Sequence, residues 1–304
     1  MFSLPITLDQ QVIDIKATLN NGSVIPIICL GTFQIRGKGT ILKVLDAAFR
    51  IGYRGIDTAA VYGNETDIGS ALKQLLPKYN LRREDIFIIS KLAPEDHGDE
   101  QRVKNAVYTS LRNLDTPYLD SYLIHWPAAS GLSPADPSNV SIRMRTWNAL
   151  TKLYDNGSGV LKSIGISNYT AEHIRQLLNS SSVVPVLNQV EFHPHWQQTK
   201  ELHSICKEFK ILLQAYSSLG GSSNKNLLKD PIVTEIAHNN NLSTAQVLLR
   251  WALQRNYAVV PKSTTVERIA ENADLNKILS NQDMEALNNI GKKQKYAWNP
   301  DIVR

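Results

Sequence analysis

Cysteine is scarce: Cys29 and Cys206 are the two in a chain of 304 residues. One lies in an apolar run and the other in a helical pattern. They make neither a disulfide framework nor a metal-ligand spacing, and the usage suits a reducing compartment. No apolar run reaches the ~18 residues of a membrane span. The opening MFSLPITLDQQ lacks the basic start and long apolar stretch of a signal peptide, and the closing NPDIVR carries no recognised address. The expected location is therefore cytoplasmic, with no membrane partner. Charge of one sign is not concentrated either. The net charge of +5 is spread over scattered Lys and Arg. Nucleic-acid binding calls for clustered basic residues with interleaved aromatics, so no nucleic-acid partner is expected. A mild positive field suits an anionic small molecule. The sequons at Asn64 and Asn168 read as chance without a secretion signal.

What is present is ordinary globular composition, 42% hydrophobic and 20% charged, enough for a large core. With no linker or low-complexity segment, residues 1–304 read as one domain. Near the start, VIDIKATLNNGSVIPIICLG places NNG between alternating apolar residues, the pattern of a β-hairpin. After it, short apolar runs alternate with longer helical patterns. IPIICLG, YRGIDT, DIFIISK, LDSYLIHW, LKSIGISN, VPVLNQVEFH, ILLQAYSSLG and YAVVPKS read as strands. Their near-continuous apolar character is that of strands covered on both faces. About eight strand–helix units at this length predict an α/β fold, a (β/α)8 TIM barrel with an N-terminal β-hairpin and an additional C-terminal helix. The rival is an open doubly wound sheet. Its G-x-G-x-x-G fingerprint is missing, because the first turn reads CLGTFQIRGKG. Thr170, and Ser243 or Thr244, are the expected caps of two helices.

Asp57, Lys91 and His125 each end a predicted strand, spaced 34 residues apart, one unit each. In a barrel such ends converge on the face that carries active sites. Tyr62, in the loop after Asp57, can curl over the same mouth. A lysine cation beside a phenol favours the phenolate, so Lys91 is expected to lower the Tyr62 pKa. Asp57 would pair with Lys91 and keep it charged. Tyr62 then becomes a general acid, and a neutral His125 can orient a substrate oxygen. No Ser–His or Cys–His nucleophile stands at that mouth, so hydride from a cofactor fits the gap. HPHW, with His193 and His195, has no Cys or acid spaced to complete a tetrahedral metal site, so no metal is expected. Trp147, Trp251 and Cys206 read as packing. Cys29, one strand position before the site, is a candidate for oxidation.

GIDTAAVYGNE, ISK, LIHWP, GISN, NQVEFHP and VVPKSTTVERIAEN together resemble the successive motifs of the aldo-keto reductase superfamily. The resemblance runs from about Ile13 to Asn289. It implies a (β/α)8 barrel and NADPH-dependent reduction of aldehydes and ketones to alcohols. It places the catalytic tetrad on Asp57, Tyr62, Lys91 and His125, with Tyr62 as proton donor. It also implies a cofactor site. Ser167, Asn168 and Gln189 match the residues that bind the nicotinamide carboxamide, and Tyr216 matches the aromatic that stacks on the ring. Ser217 and Leu219 match the pyrophosphate segment. Lys262, Ser263, Thr264 and Arg268 match the 2′-phosphate pocket, with Glu271 and Asn272 on the adenine side. Gly31 and Thr32 complete the set. Two cations and a hydroxyl suit a phosphate, which favours NADPH over NADH.

This chain departs from many members at Ser218, where they carry proline, and in the short segment SSNKNLLKDP. Its tail, KYAWNPDIVR, is similar to the tails of short-tailed members acting on small aldehydes, glyoxals, sugar-derived ketones or quinones. Phe33, Trp126, Trp196 and Trp298 are the candidate aromatic wall for a small carbonyl substrate. A monomer is expected. Two other readings share most of these residues: an NADPH-sensing partner subunit with little turnover, and an NAD(P)-linked alcohol or sugar dehydrogenase.

Overall fold

The structure, a computed structural model, describes residues 4–5, 11–221 and 226–304. The readings of the opening eleven residues and of SSNKNLLKDP therefore fall in part outside the described residues. Strands β1 (Lys16–Thr18) and β2 (Val24–Pro26) form the hairpin, antiparallel with Ala17 opposite Ile25. Its turn closes with Leu19 N donating to Ser23 O at 2.8 Å, and Gly22 supplies the left-handed φ of 85°. Asn20 Nδ2 then donates to Pro185 O and Phe209 O, and Asn21 Nδ2 to Lys162 O. These carbonyls lie just before three barrel strands, so the hairpin covers the N-terminal end of the barrel.

Eight parallel strands follow in chain order: β3 (Leu30–Gly31), β4 (Gly55–Asp57), β5 (Phe87–Leu92), β6 (Ser121–Ile124), β7 (Ile164–Ser167), β8 (Leu187–Glu191), β9 (Leu212–Tyr216) and β10 (Ala258–Val259). Nearly every residue in them is buried, the reason their sequences read as continuous apolar runs. The sheet closes on itself at a short seam. Ile28 bridges Val259 in parallel, Cys29 N donates to Val259 O at 3.0 Å, and Gly31 N donates to Pro261 O at 2.9 Å. Gly31 is required there, because a Cβ would stand 2.7 Å from Val260 O.

The outer ring is α1 (Lys38–Ile51), α2 (Glu65–Lys78), α3 (Glu100–Leu114), α4 (Ser138–Asp155), α5 (Ala171–Leu178), α6 (Lys200–Glu208), α7 (Pro231–Asn240), α8 (Thr244–Gln254), α9 (Val266–Glu271) and α10 (Asn281–Asn288). Most lay an apolar face toward the barrel, while α9 packs on α1 and α10 on α7. Thr170 caps α5 as expected, and Ser243 rather than Thr244 caps α8, paired with Gln246 in a capping box. Helix α7 was not anticipated. Its signal is Asp230-Pro231: Asp230 accepts from Ile232 N at 3.0 Å, and proline occupies the first turn, where its missing N–H does no harm. Trp147 and Trp251 are fully buried. Cys29 is as well, and burial pushes its thiol far above the usual range. Its Sγ sits where a Cβ on Gly55 would be, so the expected oxidation has no route to the thiol. Asn64 and Asn168 are also buried, which closes both sequons to modification. No described helix is long and apolar enough to cross a membrane.

Candidate active site

Asp57 ends β4, Lys91 lies near the end of β5, and His125 follows β6. In-register parallel pairing brings the three to one rim. Tyr62 sits in a 3-10 turn, Ala60–Tyr62, that folds back over them. Lys91 Nζ donates to Asp57 Oδ1 at 2.8 Å, Asp57 Oδ2 at 2.7 Å and Thr58 O at 2.8 Å, with the Tyr62 hydroxyl at 3.4 Å. The rings of Tyr62 and His125 meet edge to face at 5.7 Å. Lys91 and Asp57 are 0% and 3% exposed, so each charge depends on the other. On the far side of Asp57, Gln189 Nε2 donates to Oδ2 and to Gln214 Oε1, both at 2.7 Å.

Burial pulls the His125 pKa well below 6.5, and Lys91 adds to the effect, so the imidazole is neutral. Burial also lowers Lys91, opposed by Asp57. Tyr62 corrects the sequence expectation. Its phenol is pushed well above 10, first by burial and then by Asp57 and Tyr216. The lysine does not pull it down because its charge is already matched by Asp57 at contact distance. Desolvation therefore dominates, and Tyr62 holds its proton firmly at neutral pH.

These groups open onto a cavity of about 810 Å³. Asp57, Tyr62 and His125 line its floor, while Lys91 lies beneath Asp57. Gly31, Ser167, Asn168, Gln189 and Tyr216 line the middle. Ser167 Oγ donates to Gln189 O at 2.8 Å, Asn168 Nδ2 to His125 O at 3.0 Å, and the Tyr216 hydroxyl to Asn168 Oδ1 at 2.7 Å. Ser217, Ser218, Leu219 and Gly220 form one edge, with Ser217 and Gly220 at positive φ. The far end is Lys262, Ser263, Thr264, Arg268, Glu271 and Asn272. Lys262 and Arg268 are exposed, and neither is ion-paired among the described residues. Two unmatched cations flanking a serine hydroxyl are a donor set suited to a phosphate. Thr32 does not line the cavity. It is buried, and its Oγ1 donates to Asp57 O at 2.9 Å, which makes it a support for the strand end.

Three of the four aromatics predicted for the substrate wall are at the mouth. Phe33 lies 5.1 Å from Tyr62, and Trp126 lies 4.7 Å from Trp298. Trp196 is not there. It closes a turn with His193, bonding through Trp196 N to His193 O at 2.8 Å, and its ring lies under the Lys295 ammonium at 4.6 Å. The backbone after β8 reverses before this side chain reaches the mouth. His193 and His195 have carboxylate partners of their own, Glu191 at 3.0 Å and Asp230 at 2.8 Å. Residues the sequence reading missed also line the cavity: Gln34, Val61, the α8 start Ser243–Thr244–Ala245, and Tyr296–Ala297 of the tail. The capping signal at Ser243 marked a helix N-terminus but gave no hint of where it pointed.

An eight-stranded barrel with a buried Asp–Lys pair, a protonated tyrosine and a neutral histidine at its strand ends is a scaffold for proton-coupled chemistry on a carbonyl. Comparison with known proteins makes the class specific. The model of the Aldo/keto reductase family matches residues 27–292, and the chain belongs to that family. It is 39% identical over 284 residues to glyoxal reductase of Bacillus subtilis, covering 93% of this chain and 95% of that one. It is 37% identical over 298 residues to glycerol 2-dehydrogenase (NADP(+)) of Saccharomyces cerevisiae, covering 91% of each. Among solved structures, a Bombyx mori aldo-keto reductase in complex with NADP superposes with a TM-score of 0.79 at 31% identity, covering 90% of this chain and 91% of that one.

Proposed function

We propose that this protein is an NADPH-dependent reductase of aldehydes and ketones in which Tyr62 delivers the proton. The observation that carries the reading is the cluster of Asp57, Lys91, Tyr62 and His125 at one end of a cavity whose other end presents two cations with no ion-pair partner among the described residues. The chemistry a bound NADPH supplies is a hydride for the carbonyl carbon. Ser167, Asn168 and Gln189 would hold its carboxamide, and Tyr216 its ring. Ser217, Leu219 and Gly31 would approach the pyrophosphate. Lys262, Ser263, Thr264 and Arg268 would take the 2′-phosphate, with Glu271 and Asn272 beside the adenine.

The chain's own groups manage the proton. Tyr62 enters the reaction protonated, as its burial requires. It gives up the proton only when negative charge develops on the substrate oxygen, and a general acid so placed contributes roughly 10²–10⁴-fold. The Lys91 ammonium, 3.4 Å from the hydroxyl, stabilises the phenolate that remains. Asp57 holds that ammonium in place, and neutral His125 has an N–H to offer the same oxygen. Phe33, Trp126 and Trp298 form an apolar mouth that keeps water from the reacting atoms. The test is NADPH consumption by the purified protein on a dicarbonyl, an aromatic aldehyde, an aldose, a quinone and a steroid ketone, run beside Tyr62→Phe. Turnover on at least one, lost in the variant with NADPH binding retained, is expected. Wild-type rates in Tyr62→Phe would remove the proton-donor assignment. NADPH binding with no turnover on any carbonyl would replace an enzyme with a sensing subunit.

A further inference from the structure

Glu191 is the last residue of β8 and is 1% exposed. Strand alternation puts it on the same face as Gln189, two residues on, so it stands at the rim directly beyond the cofactor-facing glutamine. Its carboxylate does not touch the cavity. It reaches instead to the chain that follows α10. Lys295 Nζ donates to Oε2 at 2.7 Å, Tyr296 N donates to Oε1 at 2.5 Å, and Ala297 N lies 3.3 Å from both oxygens. His193 Nε2 lies 3.0 Å from Oε1. A buried carboxylate with this many donors is held where it is, because releasing the tail would remove the Lys295, Tyr296 and Ala297 donors and leave the buried charge with His193 alone.

The residues it grips adjoin the cavity mouth. Tyr296 and Ala297 line the cavity, and Trp298, the next residue, packs on Trp126. Fixing the Ala297 amide fixes the Trp298 Cα one ~3.8 Å step away. The Tyr296 hydroxyl lies 3.0 Å from His195 Nδ1, which steadies the same point from the β8 loop. Further along, Val303 O lies 3.0 Å from His173 Nε2, and Arg304 O accepts from both Arg143 Nη1 and Nη2 at 3.2 Å. The tail is thus a strap held at both ends, with Trp298 on the span between. Trp298 is 42% exposed, and Trp126 is its one ring contact among the described residues.

We infer that Glu191 is a specificity-positioning residue: by clasping the tail backbone at Tyr296 and Ala297 it holds Trp298 against Trp126, and so sets the affinity for aromatic carbonyls over small ones. The inference rests on the carbonyl-reductase reading of the site. It is read with Glu191→Ala and the isosteric Glu191→Gln, which keeps one acceptor oxygen and the side-chain volume. Two measurements are made on each full-length variant. One is hydrogen exchange of the peptide spanning residues 291–304. The other is the ratio of KM for 4-nitrobenzaldehyde to KM for methylglyoxal.

In Glu191→Ala, exchange in the tail is expected to rise tenfold or more with the barrel peptides unchanged, and the KM ratio to rise at least fivefold while kcat on methylglyoxal changes less than twofold. Glu191→Gln should lie between Ala and wild type on both readouts, and it carries the test alone should Glu191→Ala not fold. In a Trp298→Ala background, Glu191→Ala should add nothing to the KM ratio. A wild-type ratio in a variant whose tail is unprotected would overturn the proposal, as would an equal fall of kcat on both substrates. Wild-type tail exchange in Glu191→Ala would overturn it at the structural step. Absence of turnover by the wild-type protein would sink the reductase reading and the substrate half of this one together, a result distinguishable from an active variant with an unchanged ratio.

Discussion

The two ends of the cavity treat charge in opposite ways. At the end that carries Tyr62 and His125, Lys91 and Asp57 are sealed from water and saturated by each other, Thr58 O and Gln189. At the far end Lys262 and Arg268 stand in solvent with no ion-pair partner among the described residues. The first arrangement fixes geometry in advance, so that little need reorganise when charge develops on a substrate oxygen. The second leaves its cations exposed to water, as the proposed 2′-phosphate site requires. A residue's role at this site is therefore read less from its type than from whether its partner is already in the protein.

The contrast predicts unlike failures. Tyr62→Phe should lower kcat by roughly 10²–10⁴-fold, with the urea midpoint unchanged, because the ring and its contact with Phe33 survive; a shifted midpoint would mean the hydroxyl also holds the fold together. Lys91→Met should abolish turnover and also lower stability by about 3–5 kcal/mol, since it strands a buried carboxylate. Adding Asp57→Asn to it should restore part of that stability but none of the activity. Lys262→Ala with Arg268→Ala should leave the urea midpoint where it is and weaken NADPH roughly 10–100-fold, as expected for lost charge-assisted bonds, while sparing NADH. Equal weakening of both cofactors would contradict a phosphate pocket.

A further effect concerns pH. His97 Nε2 lies 2.9 Å from Trp126 O, and burial holds its pKa down to about 4 against 6.5 when unfolded. With the folded value depressed, the unfolded chain binds the extra proton. Stability is then full above pH 6.5 and lost as pH falls toward 4. His97→Gln should flatten the dependence of unfolding free energy in that window by about 1.4 kcal/mol per pH unit. An unchanged slope would show that His97 does not couple acid to the fold.

The sequence was most readable where chemistry and local pattern coincide. Asp57, Lys91 and His125 fall at strand ends, strand ends converge in a barrel, and an apolar run that stops at a charged residue is visible in one dimension. Helix α7 was missed although Asp230-Pro231 announces it, because its apolar face is short. The direction of the Tyr62 shift was misjudged because the Lys91–Asp57 pair can be guessed from motif order, but the burial of the phenol depends on packing. Trp196 was placed at the mouth on residue type, and the reversal after β8 takes it elsewhere. The grip of Glu191 on the tail joins residues more than a hundred positions apart and leaves no periodic trace.

The seam at which β10 meets β3 carries a consequence for how the chain reaches this state. The Ile27 carbonyl and the Cys29 and Gly31 amides find their partners in Val259 and Pro261, nearly the whole barrel later in sequence. As the chain is synthesised, the first barrel strand is an open edge until almost the last unit has emerged. Contacts of such long range slow folding, and an apolar edge left waiting is a template for pairing between molecules. Aggregation during refolding should therefore be governed by the first barrel strand, and a charged substitution that disturbs this seam should reduce the yield of soluble protein more than its effect on the finished fold would suggest.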